Sequence, residues 1–148
     1  MRVLIIYHSE HHQNTEKIAR TMAIKIDAEF KEAKDVNTED INNYDILSFG
    51  SGVYNGRLHE DLSEIIDMIP YQDNKKSFIF STTGSLSYSR LAHDRFRPLI
   101  IKKGFRIIGE FSCLGFDTAL TREGINNGKP DKQDLENAEN FSQGILTK

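Results

Sequence analysis

The sequence has a single cysteine, Cys113, so no internal disulfide can form, and a reducing compartment is compatible with the chain. It also has no apolar run long enough to cross a bilayer. The N-terminal run, Val3 to Tyr7, is followed at once by polar residues and shows no signal-peptide cleavage pattern, so a cytoplasmic protein with no membrane association is expected. A long basic run is missing too, and the net charge is -3 with a pI near 5.9. Nucleic acid and anionic membrane surfaces are therefore not expected partners. There is no internal repeat, low-complexity tract or linker. A chain of 148 residues with 38% hydrophobic content suits one domain, residues 1–148, around one buried core.

Within that frame, five short apolar runs rich in β-branched or aromatic residues read as buried strands. They are Val3 to Tyr7, a weak one near Phe30 to Ala33, Tyr44 to Phe49, Ser77 to Phe80, and Arg106 to Cys113. Helical periodicity is firmest where Ile18, Met22 and Ile26 recur beside Ala19 and Ala23. Further helices are expected over Glu60 to Ile69, roughly Ala92 to Lys103, and Lys132 to Leu146, the last capped by Asp131. "DVNTEDINNYD" has room for a short helix at most. Alternating strands and helices predict an α/β fold, a parallel five-stranded sheet with helices on both faces. In so short a chain the order 2-1-3-4-5 is expected, which directs ligands to the carboxyl ends of strands 1, 3 and 4.

The loops at those three ends carry the candidate residues. "SEHHQNTEK" places Ser9, Glu10, His11, His12, Gln13, Asn14 and Thr15 before the first helix, whose unpaired N–H groups and macrodipole suit a phosphate without any lysine. Equally, Asn14 or Thr15 can simply cap that helix. "GSGVYNGRLHE" offers Ser51, Gly52, Val53, Tyr54, Asn55 and Gly56: small residues for close approach, an exposed-looking tyrosine to stack on a flat ligand, and an Asn-Gly turn. "STTGSLSYSR" adds Thr82, Thr83, Gly84 and Ser85, able to read the polar edge of a ring system, with Tyr88 as a second aromatic face. Together the three loops favour a phosphate-bearing aromatic cofactor.

Other chemistries fit less well. His8, His11 and His12 cluster, but adjacent histidines in a turn diverge and no further ligand spacing completes a tetrahedral zinc site, so no metal is expected. Cys113 lacks a basic or helix-terminal setting and a cysteine-to-arginine phosphatase spacing, which favours buried packing. There is no G-x-G-x-x-G after the first strand, no acidic cluster at the strand ends, and "GINNGKP" departs from a P-loop.

"YHSEHHQNTEKIA", "FGSGVYNGRLH", "FSCLGFDT" and "GINNGKPDKQDLENA" resemble the flavodoxin-like FMN-binding family over essentially the whole chain. The first is similar to the short-chain subgroup reading S-x-H-H-x-N-T-E-K-I-A, except that Gln13 stands where glycine is common. The resemblance implies noncovalent FMN, with Ser9 through Thr15 around its phosphate and Ser51 through Gly56 and Thr82 through Ser85 bordering the isoalloxazine. It also implies electron exchange with a redox partner protein by a monomer or weak dimer. The turn at Asn55 and Gly56 is then the peptide expected to rearrange toward reduced flavin N5, and Glu60 and Asp61 are the nearest carboxylates in sequence. A flavodoxin-like oxidoreductase of quinone or protoporphyrinogen type, marked by His59 after Gly56, is the alternative. A partner-binding domain with a degenerate flavin site is a second alternative, suggested by Gln13.

Overall fold

The computed structural model describes residues 1–10, 12–119 and 121–148. Its strands are β1 (Val3–His8), β2 (Glu29–Glu32), β3 (Ile46–Tyr54), β4 (Arg57–Leu58), β5 (Lys76–Thr83) and β6 (Arg106–Leu114). Its helices are α1 (Asn14–Ile26), α2 (Glu60–Met68), α3 (Leu86–Lys102) and α4 (Lys132–Ile145). "DVNTEDINNYD" forms no α-helix; two short 3-10 segments, Ala33–Asp35 and Thr38–Asn43, bridge to β3.

The parallel sheet runs β2-β1-β3-β5-β6, the expected order, and α1 and α4 cover one face while α2 and α3 cover the other. The apolar runs are continuous rather than alternating because both faces of the central strands are covered. Leu4, Ile6, Leu47, Phe49 and Ile79 face α2 and α3, whereas Val3, Ile5, Ile46, Phe78 and Phe80 face α1 and α4. Each such side chain, fully buried, contributes about 1.5–3 kcal/mol. Gly50 is needed at the sheet centre, since a Cβ there would run into the Phe80 ring.

Several boundaries differ from the sequence reading, among them that of β5, which runs past Phe80 to Thr83 at the site. β3 continues past Phe49 to Tyr54, because Ser51 and Gly52 still pair with Ser81 and Thr82 of β5. Asn55 and Gly56 then have φ of 52 and 72, the two left-handed positions of a two-residue hairpin turn, and the chain returns antiparallel as β4. That strand is additional to the five expected. α3 starts at Leu86 rather than near Ala92, with Ser85 as its N-cap residue. β2 ends at Glu32, and Ala33 opens the first 3-10 segment. Asp131 caps α4 in a reciprocal capping box with Asp134.

Candidate functional site

Parallel register aligns the carboxyl ends of β1, β3, β5 and β6: His8 lies beside Ser51, Gly52 beside Thr82, and Thr83 beside Leu114. At that edge is a cavity of about 350 Å³. Of the expected residues, Glu10, His12, Asn14, Thr15, Gly52, Val53, Tyr54, Thr82, Thr83 and Gly84 line it. Ser9, Gln13, Ser51, Asn55, Gly56 and Ser85 support or flank it without lining it, and His11 lies outside the described residues. Tyr88 provides no face to the cavity: it is on the first turn of α3, 57% exposed.

The N-terminus of α1 forms the first wall. Gln13 is the N-cap residue, in the left-handed region at φ 57 and ψ 30, and its side chain caps nothing. The glycine common at this position in similar loops is thus accounted for by backbone geometry, and Gln13 adopts the same conformation under strain. Neither Asn14 nor Thr15 caps the helix. Instead the Ser9 hydroxyl accepts from the Glu16 N–H at 3.2 Å. The backbone N–H groups of Asn14 and Thr15 have no acceptor among the described residues. These donors sit at the positive end of the macrodipole. The buried Asn14 Oδ1 has no donor among the described residues either, which a hydroxyl-bearing ligand would satisfy.

The second wall is the β3–β4 hairpin. Ser51 is buried, its hydroxyl accepting from the His59 N–H at 2.9 Å and donating to the Gly52 carbonyl, which locks the hairpin to the start of α2. Tyr54 is half-buried over Gly52, its ring against His59. Burial, together with the Glu10 carboxylate to which it donates, raises its hydroxyl above the ordinary phenol value. Thr15 and Thr82 hydroxyls meet at 2.8 Å and pin α1 to the end of β5.

Sequence reasoning missed the fourth wall, Gly115, Phe116, Asp117, Thr118 and Ala119 after β6. Asn14 Nδ2 donates to the Phe116 carbonyl at 2.9 Å, and Gly115 is required because a Cβ would approach Asn14 Nδ2 to 2.6 Å. His12 packs on the Phe116 ring at 4.5 Å and reaches Thr118 Oγ1 at 3.3 Å. Asn126, in the left-handed region at φ 58, donates to the carbonyls of both Gly84 and Gly115, clamping the loops after β5 and β6 together. The signal in the sequence was a glycine followed by an aromatic and two small polar residues, again at a strand end.

The carboxylates at the cavity are Glu10 and Asp117, not the expected Glu60 and Asp61. Asp61 instead pairs with His8 Nδ1 at 3.0 Å, while His8 Nε2 faces Glu10 at 3.3 Å. His8 also stacks on His59, ring centroids 3.5 Å apart and 9° from parallel. His8, Glu10 and His59 offer ligand atoms within 4.8 Å of one another. Parallel rings, however, aim their lone pairs side by side rather than at one point, and His59 Nδ1 already accepts the Asp61 N–H at the head of α2. Cys113 is buried, and burial pushes its thiol up to about 12. It is a packing residue rather than a nucleophile.

A five-stranded parallel sheet in this order, with a helix N-terminus and an aromatic hairpin meeting at the switch point, defines a flavodoxin-type α/β protein. Residues 4–142 match the flavodoxin domain model, and the chain belongs to that family. An uncharacterized protein of Methanocaldococcus jannaschii is 40% identical over 99% of both chains. Among solved structures, a Streptococcus pneumoniae flavodoxin superposes with a TM-score of 0.74 at 16% identity over 99% of both chains. Oxidised flavodoxin 2 of Bacillus cereus does so with 0.74 at 20%, over the same shares. At these identities the two structures speak for the fold.

Proposed function

We propose that the chain binds FMN noncovalently and shuttles single electrons to or from a redox partner protein. The observation that carries this reading is the convergence on one cavity of the α1 N-terminus, with two N–H groups unclaimed by described residues, and of the Tyr54 hairpin and the Thr82–Gly84 strand end. The residues fit the group. Asn14 and Thr15 would hold the phosphate, aided by Ser9, which orders the helix start. Gly52, Tyr54, Thr83 and Gly84 would border the ring. Bound flavin supplies the electron-accepting chemistry.

This chain's own residues tune that site. Glu10 and Asp117 place negative charge beside it, which disfavours an anionic reduced ring. Arg95 Nη1 donates to the Gly56 carbonyl at 3.2 Å, fixing the peptide after Gly56. The Asn55–Gly56 peptide makes no backbone bond to another described residue and is the one free to turn. The resemblance to the short-chain subgroup, monomer or weak-dimer behaviour and a cytoplasmic setting go with the same reading.

Two features bear on the alternatives. His59 heads α2 and stacks on His8 instead of lining the cavity, which supports a carrier over a quinone or protoporphyrinogen oxidoreductase. Gln13 adopts the glycine-like conformation, which supports an intact flavin site over a degenerate one. The FMN-loaded protein should accept electrons in a reductive titration and pass them to a one-electron protein acceptor. Sustained NADH-dependent turnover of a quinone would instead identify an enzyme.

A further inference from the structure

Beside the Asn55–Gly56 turn the surface changes character. Along α3, Tyr88, Leu91, Arg95, Leu99 and Lys102 recur at three- and four-residue spacing and so share one face. All five are exposed, the three apolar ones by 57%, 39% and 38% in chain order. Arg57 of β4 joins Arg95 and Leu99 around a cleft of about 140 Å³ between the hairpin and α3, in which Glu60 is the one carboxylate against two arginines. Among the described residues, neither Arg57, Arg95 nor Lys102 has a carboxylate partner, although the protein as a whole is acidic. The stripe touches the proposed flavin end directly: a Cβ on Gly56 would meet Leu91 at 3.0 Å and Arg95 Nη1 at 3.2 Å.

Three cations without a carboxylate partner among the described residues, interleaved with exposed leucine and tyrosine, outnumber Glu60 on this face and give it a positive balance on a net-negative molecule, which orients an incoming partner. We propose that this face, α3 from Tyr88 to Lys102 with Arg57, docks the acidic face of a one-electron carrier protein. A partner carboxylate enters the cleft between Arg57 and Arg95, and apolar side chains settle on Leu91 and Leu99. Arginine suits this role because its fork receives a carboxylate through two parallel hydrogen bonds. The assignment rests on the electron-transfer reading for its purpose, but not for the binding itself. Docked there, the partner's oxidised metal centre would be held beside the Gly56 turn, and bound reduced flavin would supply the one electron that reduces it.

The test uses FMN-loaded protein reduced under anaerobic conditions, with a rubredoxin as acidic ferric acceptor and cytochrome c as basic ferric acceptor. The rate constant for rubredoxin should fall with rising ionic strength, and Arg57→Glu with Lys102→Glu should lower it about tenfold at low salt, leaving the Arg95 bond to Gly56 intact. Lys148→Glu, at the far end of the chain, should leave it unchanged, and the cytochrome c rate should not fall in the double variant. A rubredoxin rate that rises or stays flat with salt, or that ignores the double reversal, overturns the proposal. Should the protein retain no flavin, titrating isotope-labelled rubredoxin with the apoprotein separates the two ideas. Chemical-shift changes abolished by the double reversal uphold the docking face, and their absence in the native chain refutes it.

Discussion

Replacing Gln13 by glycine inverts the usual effect of glycine at a helix. Gln13 has φ 57, is exposed, and makes no side-chain cap bond, so the substitution removes strain and little else. A non-glycine residue in the left-handed region costs about 1–2 kcal/mol. The greater freedom of glycine in the unfolded chain returns about 0.4–1 kcal/mol of that. The net expectation is a gain of roughly 0.5 kcal/mol. At Lys17, one turn into α1 and also exposed, glycine should instead cost about 1 kcal/mol. The two variants then differ by about 1.5 kcal/mol, or roughly 1 M in urea midpoint for a domain of this size. Gln13→Val should lose more than about 1 kcal/mol, since a branched side chain tolerates this conformation poorly. Urea unfolding followed by circular dichroism measures all three. If Gln13→Gly proves as destabilising as Lys17→Gly, the left-handed cap is not the conformation in solution, and the phosphate cradle built on it fails too.

Other outcomes follow from single contacts. Ser9→Ala removes the acceptor of the Glu16 N–H and should lower stability by about 1 kcal/mol, read in the same urea assay. Gly115→Val should push the Asn14 side chain off the cradle and weaken FMN binding at least tenfold by fluorescence titration, while circular dichroism stays native. His93 is buried between Ser81, 2.8 Å from Nε2, and Glu110, 2.8 Å from Nδ1, and burial lowers its pKa despite the carboxylate. The folded state then binds fewer protons than the unfolded state just below the ordinary histidine value of about 6.5. Stability should therefore fall as pH drops through that value, and a His93→Gln variant should show a shallower slope there. The Cys113 thiol, pushed up to about 12, should react with a disulfide reagent only as the protein unfolds.

The sheet was readable because Val3 to Tyr7 and its counterparts are buried on both faces, leaving unbroken apolar runs that locate strands and, through alternation, their order. Strand ends were less readable. Ser51, Gly52, Thr82 and Thr83 continue the ladder by backbone bonds alone, which composition does not record. The Asn-Gly turn was evident, yet the two-residue strand after it is held by pairing with Val53 and Tyr54 rather than by its own pattern. Likewise "LSYSR" lacks an apolar period, so α3 looked shorter than it is, and Tyr88 seemed a loop residue free to reach the cavity. Three of the four walls followed from topology. The fourth did not, because the switch-point argument selects the central strand ends, whereas Asn126 and Asn14 draw the loop after β6 inward through long-range side-chain bonds.

On the proposed reading, the α1 N-terminus at Asn14 and Thr15 holds the phosphate of a flavin whose ring lies by Tyr54. Titrating apoprotein with FMN and, separately, with riboflavin tests it most directly. FMN should bind one per chain, with quenched fluorescence and a flavin spectrum that survives gel filtration. Riboflavin, lacking the phosphate, should bind at least tenfold more weakly. Equal affinity for the two would contradict the phosphate assignment, and a colourless protein after gel filtration from excess FMN would contradict the flavin site altogether.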